Sequence, residues 1–348
     1  MDFSHEIKYN IVIKKSGGIL FSMTNLEQWI ELRNTDRLQR TIQKLKNKEP
    51  VSLCFLGGSI TSGFKNEPEL CFVELLRQWL LKTYPDCNLS IHNLAIAGTP
   101  SIFGLYQCLQ YVGQYEPDLI FIEYAINDMK NAEYQSAFES LVYKSLSFEK
   151  EPGVILLLAR SNVHYTCQNF MDMVAEHYHQ TSVFISKLID SIAWEDYSDD
   201  YGHPNRSGNQ FICDLLSTLF VMAEKAPLIC NALPDKAFYE NSLSGLVFEN
   251  KICNYSGTKQ QTLFEIKVKC RFLYLLYFVS PEDTWGDAEL IIDGEKYEVL
   301  SAYRINSWEH LLGHIVSLGE KKEMHTICVK MQKGEEDKLF SLQNVGYC

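Results

Sequence analysis

Apolar and polar positions follow two different rhythms along this chain. Between residue 51 and about 225, short continuous apolar runs alternate with stretches whose apolar positions recur every three or four residues. VSLCFLGG (51–58), NLSIHNLAI (88–96), DLIFIEYA (118–125) and GVILLLA (153–159) are short and, for the most part, apolar, which predicts strands, the first of them buried. ELCFVELLRQWLLKTY (69–84), IFGLYQCLQYVGQ (102–114), a stretch through about 147, a segment near 167–180 and FICDLLSTLFVMAEK (211–225) carry helical spacing. Strand and helix in alternation imply right-handed crossovers and a parallel sheet covered by helices. Ahead of this unit, residues 1–50 read as a strand (KYNIVIK, 8–14), a turn at Gly17-Gly18 and a helix over roughly 25–47. This extension is expected to pack on the unit of residues 51–228.

The rhythm changes after APLICNALPD (226–235), whose two prolines end the helical pattern. From about 244 the segments are strand-like: GLVFEN, TLFEIKVKC, FLYLLYFVS, AELIIDG, KYEVLSA, LGHIVSLG and HTICVKMQ. In IIDGEKYEV, Asp293-Gly294 suits the positive φ angles of a type I′ hairpin turn. The pattern predicts an all-β sandwich over 238–348.

Composition narrows the classes. A 348-residue chain that is 46% hydrophobic can bury two cores. A formal charge of −12 excludes the basic face that a nucleic acid or an anionic membrane would need. The chain has no run of signal-peptide or membrane-spanning character. Its eleven cysteines form no CxxC pair and no metal spacing, which suits free thiols in a reducing, cytoplasmic setting. An exposed face of the sandwich would support a homo-oligomer.

Chemistry is expected at the carboxyl ends of the parallel strands. The loops there read Gly57-Gly58-Ser59-Ile60-Thr61, then Ala95-Ile96-Ala97-Gly98-Thr99, then Tyr124-Ala125-Ile126-Asn127-Asp128, and before the last helix Asp199-Asp200-Tyr201-Gly202-His203-Pro204-Asn205. Together they hold what acyl transfer through a serine requires. Ser59 is the candidate nucleophile, and His203 the base that would take its proton. Asp200, three residues earlier, would orient His203, with Asp199, Asp196 and Glu195 as nearby alternatives. The N–H groups of Ser59 and Gly98 and the amide of Asn127 would hold the developing oxyanion. Taken singly, Asn127-Asp128 reads as a cap for the helix after it, and Asn205 as the cap of the last helix.

GGSIT, NLAIAG, EYAINDM and DDYGHPNRSGN, in that order, resemble the blocks of the SGNH (GDSL-like) hydrolases over roughly residues 50–225. The family's marker residues fall on Ser59, Gly98, Asn127 and His203, and its aspartate on Asp200. The resemblance implies a flavodoxin-like, doubly wound α/β unit, and no metal or organic cofactor. One departure is Gly58, where the family usually has an aspartate. This GGS form resembles the members that act on acylated carbohydrates.

The expected activity is therefore a serine esterase that removes acetyl groups from an acetylated oligosaccharide. A saccharide O-acetyltransferase and a lipid or thioester hydrolase of the same fold are the alternatives, and a non-catalytic sugar-binding protein is a third. Trp285, in WGDAELIIDG, is the sandwich's candidate for stacking on sugar, against a structural role for the same ring. His177 and His179 are two apart and would diverge on a helix, so they make a poor metal pair. Asp172, Glu176 and His179 read as a solvated helix face.

Overall fold

The computed structural model describes residues 26–162, 167–249, 253–257, 262–305 and 307–348. The KYNIVIK strand and the Gly17-Gly18 turn lie outside the described residues.

The first unit is built on six strands: β1 (Ile30–Glu31), β2 (Pro50–Gly57), β3 (Asn88–Asn93), β4 (Leu119–Glu123), β5 (Gly153–Leu157) and β6 (Thr181–Val183). They lie in the order β1-β6-β5-β4-β2-β3, with β2 to β6 parallel and β1 antiparallel at the edge. The central strands are apolar but for Glu123 at the end of β4 because helices cover both faces: LIFIE of β4 and GVILL of β5 are buried at every position. The principal helices are α1 (Asp36–Lys46), α2 (Ser59–Ser62), α3 (Phe72–Thr83), α4 (Ser101–Gln110), α5 (Ala132–Leu146), α6 (Gln168–His177) and α7 (Arg206–Lys225).

Two elements differ from the sequence reading. The helix expected from about 25 begins only at Asp36, after a short 3-10 turn and β1. Strand β6 is a fifth parallel strand, where TSV is too short to stand out between two helical segments. Asp172 is not on a free solvated face either: its carboxylate accepts from Arg33 (3.0 Å) and from Ser182 (2.8 Å), tying α6 to the sheet edge.

The second unit is a sandwich of two antiparallel sheets. One carries β7 (Val247–Glu249), β8 (Cys253–Ser256), β10 (Phe272–Val279), β13 (His310–Ser317) and β15 (Leu339–Tyr347); the other carries β9 (Thr262–Cys270), β11 (Ala288–Ile292), β12 (Glu295–Leu300) and β14 (Glu323–Met331). Asp293 (φ 54°) and Gly294 (φ 88°) make the hairpin turn between β11 and β12, both with the positive φ that a type I′ turn demands.

Strand β10, FLYLLYFV, explains how the two units meet. Leu273, Leu275, Tyr277 and Val279 point into the sandwich core, whereas Phe272, Tyr274 and Leu276 join the core of the α/β unit. A strand with alternating faces is apolar on both only when something covers each side. Here the cover is α4: Tyr106 stacks on Tyr274 at 5.8 Å and meets Phe248 edge-on at 5.3 Å. The sandwich is thereby docked beside the loop that carries Gly98.

Candidate active site

Register fixes the site first. Gly57 at the end of β2 pairs with Glu123 at the end of β4, the N–H of Gly58 donates to the Glu123 carbonyl (3.3 Å), and that of Ile96 to the Gly57 carbonyl (3.1 Å). The loops after β2, β3 and β4 are thus laced together at one edge.

Neither Gly57 nor Gly58 has a positive φ, so the glycines are not needed for the turn. They are needed for close approach. A Cβ on Gly57 would lie 2.4 Å from the Thr61 hydroxyl, and one on Gly58 would lie 2.3 Å from Asn127 Oδ1. Gly58 therefore lets the Asn127 amide lie against the Ser59 turn. Ser59 opens α2 and is almost fully buried.

Ser59 Oγ and His203 Nε2 are 3.0 Å apart, and His203 Nδ1 is 2.7 Å from Asp200 Oδ2. Of the four acidic residues near His203 in sequence, Asp200 is the one whose carboxylate meets the imidazole. Asp199 instead receives the side chain of Asn205 (3.1 Å). The three-residue spacing has a local cause: Asp200 Oδ1 accepts the N–H groups of Gly202 (2.9 Å) and His203 (2.8 Å), an Asx-type turn that leaves Oδ2 facing the imidazole. Ser198 Oγ donates to the His203 carbonyl (2.6 Å) and so closes the loop from the other side. Asn205 caps α7, accepting the N–H of Gly208 at 3.0 Å.

The capping read for Asn127-Asp128 does not hold for the helix after it, because Asn131 caps α5. Asp128 bonds instead to the N–H of Ser101 (2.7 Å) at the start of α4. Asn127 Oδ1 has no hydrogen-bond partner. Gly98 has a φ of +79°, and its missing Cβ is replaced by the ring of Trp308, whose nearest carbon would be 2.6 Å away.

Several residues of the site escaped the sequence reading. Lys65 reaches from the Ser59 turn to Asp200 Oδ2 (2.6 Å), and Asn66 donates to the Pro204 carbonyl (3.0 Å), so one turn clasps the His203 loop. Burial pushes the Asp200 carboxyl up. The Lys65 ammonium, the two backbone N–H groups and the His203 ring outweigh it and hold the carboxyl well below the usual range.

At the end of β4 and in the loop after it lie two fully buried acids, Glu123 and Asp128. Glu123 accepts the Thr61 hydroxyl (3.2 Å), and its other oxygen is unpartnered. Burial raises its carboxyl to about 7, against the opposing pull of the Thr61 hydroxyl and the N–H groups of Gly58 and Thr61. Asp128 is likewise raised by burial to about 7. The signal for Glu123 was present in the sequence: a lone carboxylate closing an otherwise apolar buried strand.

Two exposed aromatics lie against the imidazole, and a third lies beside one of them. Phe64 is 5.0 Å and Tyr201 5.6 Å from His203, and Trp308 stacks near Phe64 at 6.2 Å. Trp308 comes from the sandwich, in the segment before β13. Trp285, the residue expected in this role, packs on Phe278 (4.8 Å) at the sandwich's own core and bridges to Leu339. The sandwich does reach the Ser59 loops, but through a different tryptophan.

No family model and no curated protein matches the sequence. Solved structures do match. The structure is similar to a two-domain esterase (CEX) active on acetylated mannans, with a TM-score of 0.80 and 21% identity over 92% of this chain and 98% of that one. For the same kind of esterase co-crystallised with mannopentaose the values are 0.81 and 23%, over 92% and 97%. The likeness spans both units. The chain has the SGNH hydrolase fold followed by a β-sandwich.

Proposed function

We propose that this protein is a serine esterase that removes acetyl groups from carbohydrate O-esters through an acyl-enzyme. The observation that carries the proposal is the unbroken relay from Ser59 Oγ to His203 (3.0 Å) and on to Asp200 (2.7 Å), at the mouth of a docked second unit.

His203 takes the Ser59 proton as Oγ attacks the ester carbonyl. Asp200 holds the imidazole in the tautomer that presents Nε2 to the serine and stabilises the imidazolium that forms. The carbonyl oxygen, now negative, is received by the N–H groups of Ser59 and Gly98 and by the Asn127 amide, which Gly58 allows close. His203 then protonates the departing sugar hydroxyl. Water, deprotonated by the same imidazole, releases acetate.

Two features support a sugar rather than a lipid as the leaving group. Exposed rings (Phe64, Tyr201, Trp308) are set around the site as separate faces. The match to an acetylmannan esterase extends over both units. A cytoplasmic location is part of the proposal, supported by the odd count of eleven cysteines without metal or disulfide spacing.

The test is acid release from nitrophenyl esters of two, four and eight carbons, then from acetylated manno- and xylo-oligosaccharides, for the wild type and Ser59→Ala. We expect activity that falls with acyl length and drops by about 10⁴- to 10⁶-fold in the variant. Equal activity of the two proteins would remove Ser59 from its role. Acetyl transfer that depends on an added donor would replace the esterase by the transferase.

A further inference from the structure

The turn that follows α2 closes on the His203 loop with three successive side chains. Phe64 lies against the imidazole (5.0 Å), Lys65 Nζ meets Asp200 Oδ2 (2.6 Å), and Asn66 donates to the Pro204 carbonyl (3.0 Å). Lys65 is held at a φ of +66°, uncommon for a residue with a Cβ. Its ammonium shares Oδ2 with His203 Nδ1, 2.7 Å away on the other side of the carboxylate oxygen. The place of Asp200 does not depend on this contact. Oδ1 already accepts the N–H groups of Gly202 (2.9 Å) and His203 (2.8 Å), and Ser198 Oγ lies 3.2 Å from it. What Lys65 adds is charge, on the very oxygen that must stabilise the imidazolium.

We propose that Lys65 is a positioning residue that acts through Asp200: its charge extends ester cleavage to lower pH and slows it on the plateau. The inference rests on the serine-esterase reading above. A base beside a carboxylate that an ammonium already holds gains less from a proton than one with the carboxylate to itself. It stays free to receive the Ser59 proton in more acid solution, and it receives that proton less readily during the attack. The pairing is mutual, because the hydrogen bond to Asp200 raises the Lys65 ammonium above its ordinary value, so the charge persists throughout.

Among the described residues, the other charged or titratable groups around the loop have their own places. Tyr201 meets the imidazole edge-on at 5.6 Å, and burial pushes the Tyr197 phenol well above its ordinary value. Asp199 holds Asn205 (3.1 Å), and Arg160, over the Trp194 ring, pairs with Asp190 (2.8 Å). Glu123 and Asp128 change charge near pH 7, but every Lys65 variant keeps both, so a comparison among variants isolates Lys65.

The experiment follows kcat and kcat/KM for nitrophenyl acetate against pH in the wild type, Lys65→Met and Lys65→Arg. Nitrophenolate leaves without a proton, so the assay reads His203 as a base alone. Methionine keeps an unbranched stem and deletes the charge, whereas arginine keeps the charge. In Lys65→Met the acid limb of kcat/KM should move up by about 0.5 pH unit, the size that an exposed ion pair supports. Plateau kcat should rise about twofold, with KM held. Lys65→Arg should retain the wild-type limb. An unmoved limb in Lys65→Met overturns the proposal, as does a limb that arginine shifts as far as methionine. Phosphonylation of Ser59 by a fluorophosphonate, followed over the same pH range, keeps the two readings apart. If no ester is cleaved, the esterase reading fails by itself. A phosphonylation limb displaced by methionine and not by arginine still supports the role of Lys65, and an undisplaced one overturns it. A Ser59 inert to both reagents overturns both readings.

Discussion

The α/β unit and the sandwich contribute to one site in opposite ways. The α/β unit supplies polar groups that are buried and tied down: Ser59 and His203 are both nearly inaccessible, and Asp200 is held through both carboxylate oxygens. The sandwich supplies one half-exposed ring, Trp308, and none of the titrating groups of the relay. Groups that move protons must be preorganised and desolvated. Groups that select a substrate must remain accessible to it. The α/β unit meets the first requirement alone, and to the second the sandwich adds Trp308 beside the exposed Phe64 and Tyr201 of the α/β unit, so substitutions in the two kinds of group should fail differently.

On the α/β side the largest effect after loss of Ser59 is expected from Asp200→Asn. Loss of the carboxylate that sets the imidazole tautomer should lower kcat by about 10⁴-fold on every ester, with KM little changed. Steady-state kinetics on nitrophenyl acetate and on an acetylated oligosaccharide would check it. Asn127→Ala removes one oxyanion donor and should cost about 100- to 1,000-fold in kcat, again regardless of leaving group. If either loss were confined to oligosaccharides, the division between the units would be wrong.

The buried acids Glu123 and Asp128 predict a pH dependence of stability. Below the ordinary value of 4.5, Glu123 is protonated whether the chain is folded or not. Between that value and about 7 the folded chain keeps a proton that the unfolded chain has released, so stability falls as pH rises and levels off above. The whole window amounts to on the order of 3 kcal/mol. Glu123→Gln keeps the shape and deletes the titration. Its melting temperature should overtake the wild type's progressively between pH 5 and 7.5, with a residual slope from Asp128, whose shift has the same sign. Parallel curves for the two proteins would show that Glu123 ionises normally in the fold.

The smallest effect belongs to the sandwich. Trp308→Ala should raise KM for acetylated oligosaccharides by about three- to tenfold and leave nitrophenyl acetate turnover within twofold. A fall in kcat on both substrates would instead make Trp308 part of the catalytic assembly through its contact with Gly98.

How much of this was legible in advance follows from how local each interaction is. Asp200 and His203 were readable because their geometry is made within four residues by an Asx turn. Ser59, Gly98 and Asn127 were readable because parallel strands deliver their loops to one edge, whatever the details. The capping role of Asp128 was misplaced because its partner, Ser101, lies 27 residues back on another helix. Lys65 carries no periodic or motif signal; its meeting with Asp200 spans 135 residues and depends on the path of one turn.

The sequence by itself determined the two units, the strand set of the parallel sheet apart from its short edge, and the residue types of the relay. These follow from hydrophobic periodicity and from hydrogen bonds between near neighbours. Tertiary structure alone decided which tryptophan faces the site. Trp285 and Trp308 are equally plausible in a one-dimensional reading. The docking of β10 on α4 turns one against Phe278 and brings the other over Gly98. That outcome is set by which apolar faces bury each other, a property of two surfaces that no single stretch of chain contains.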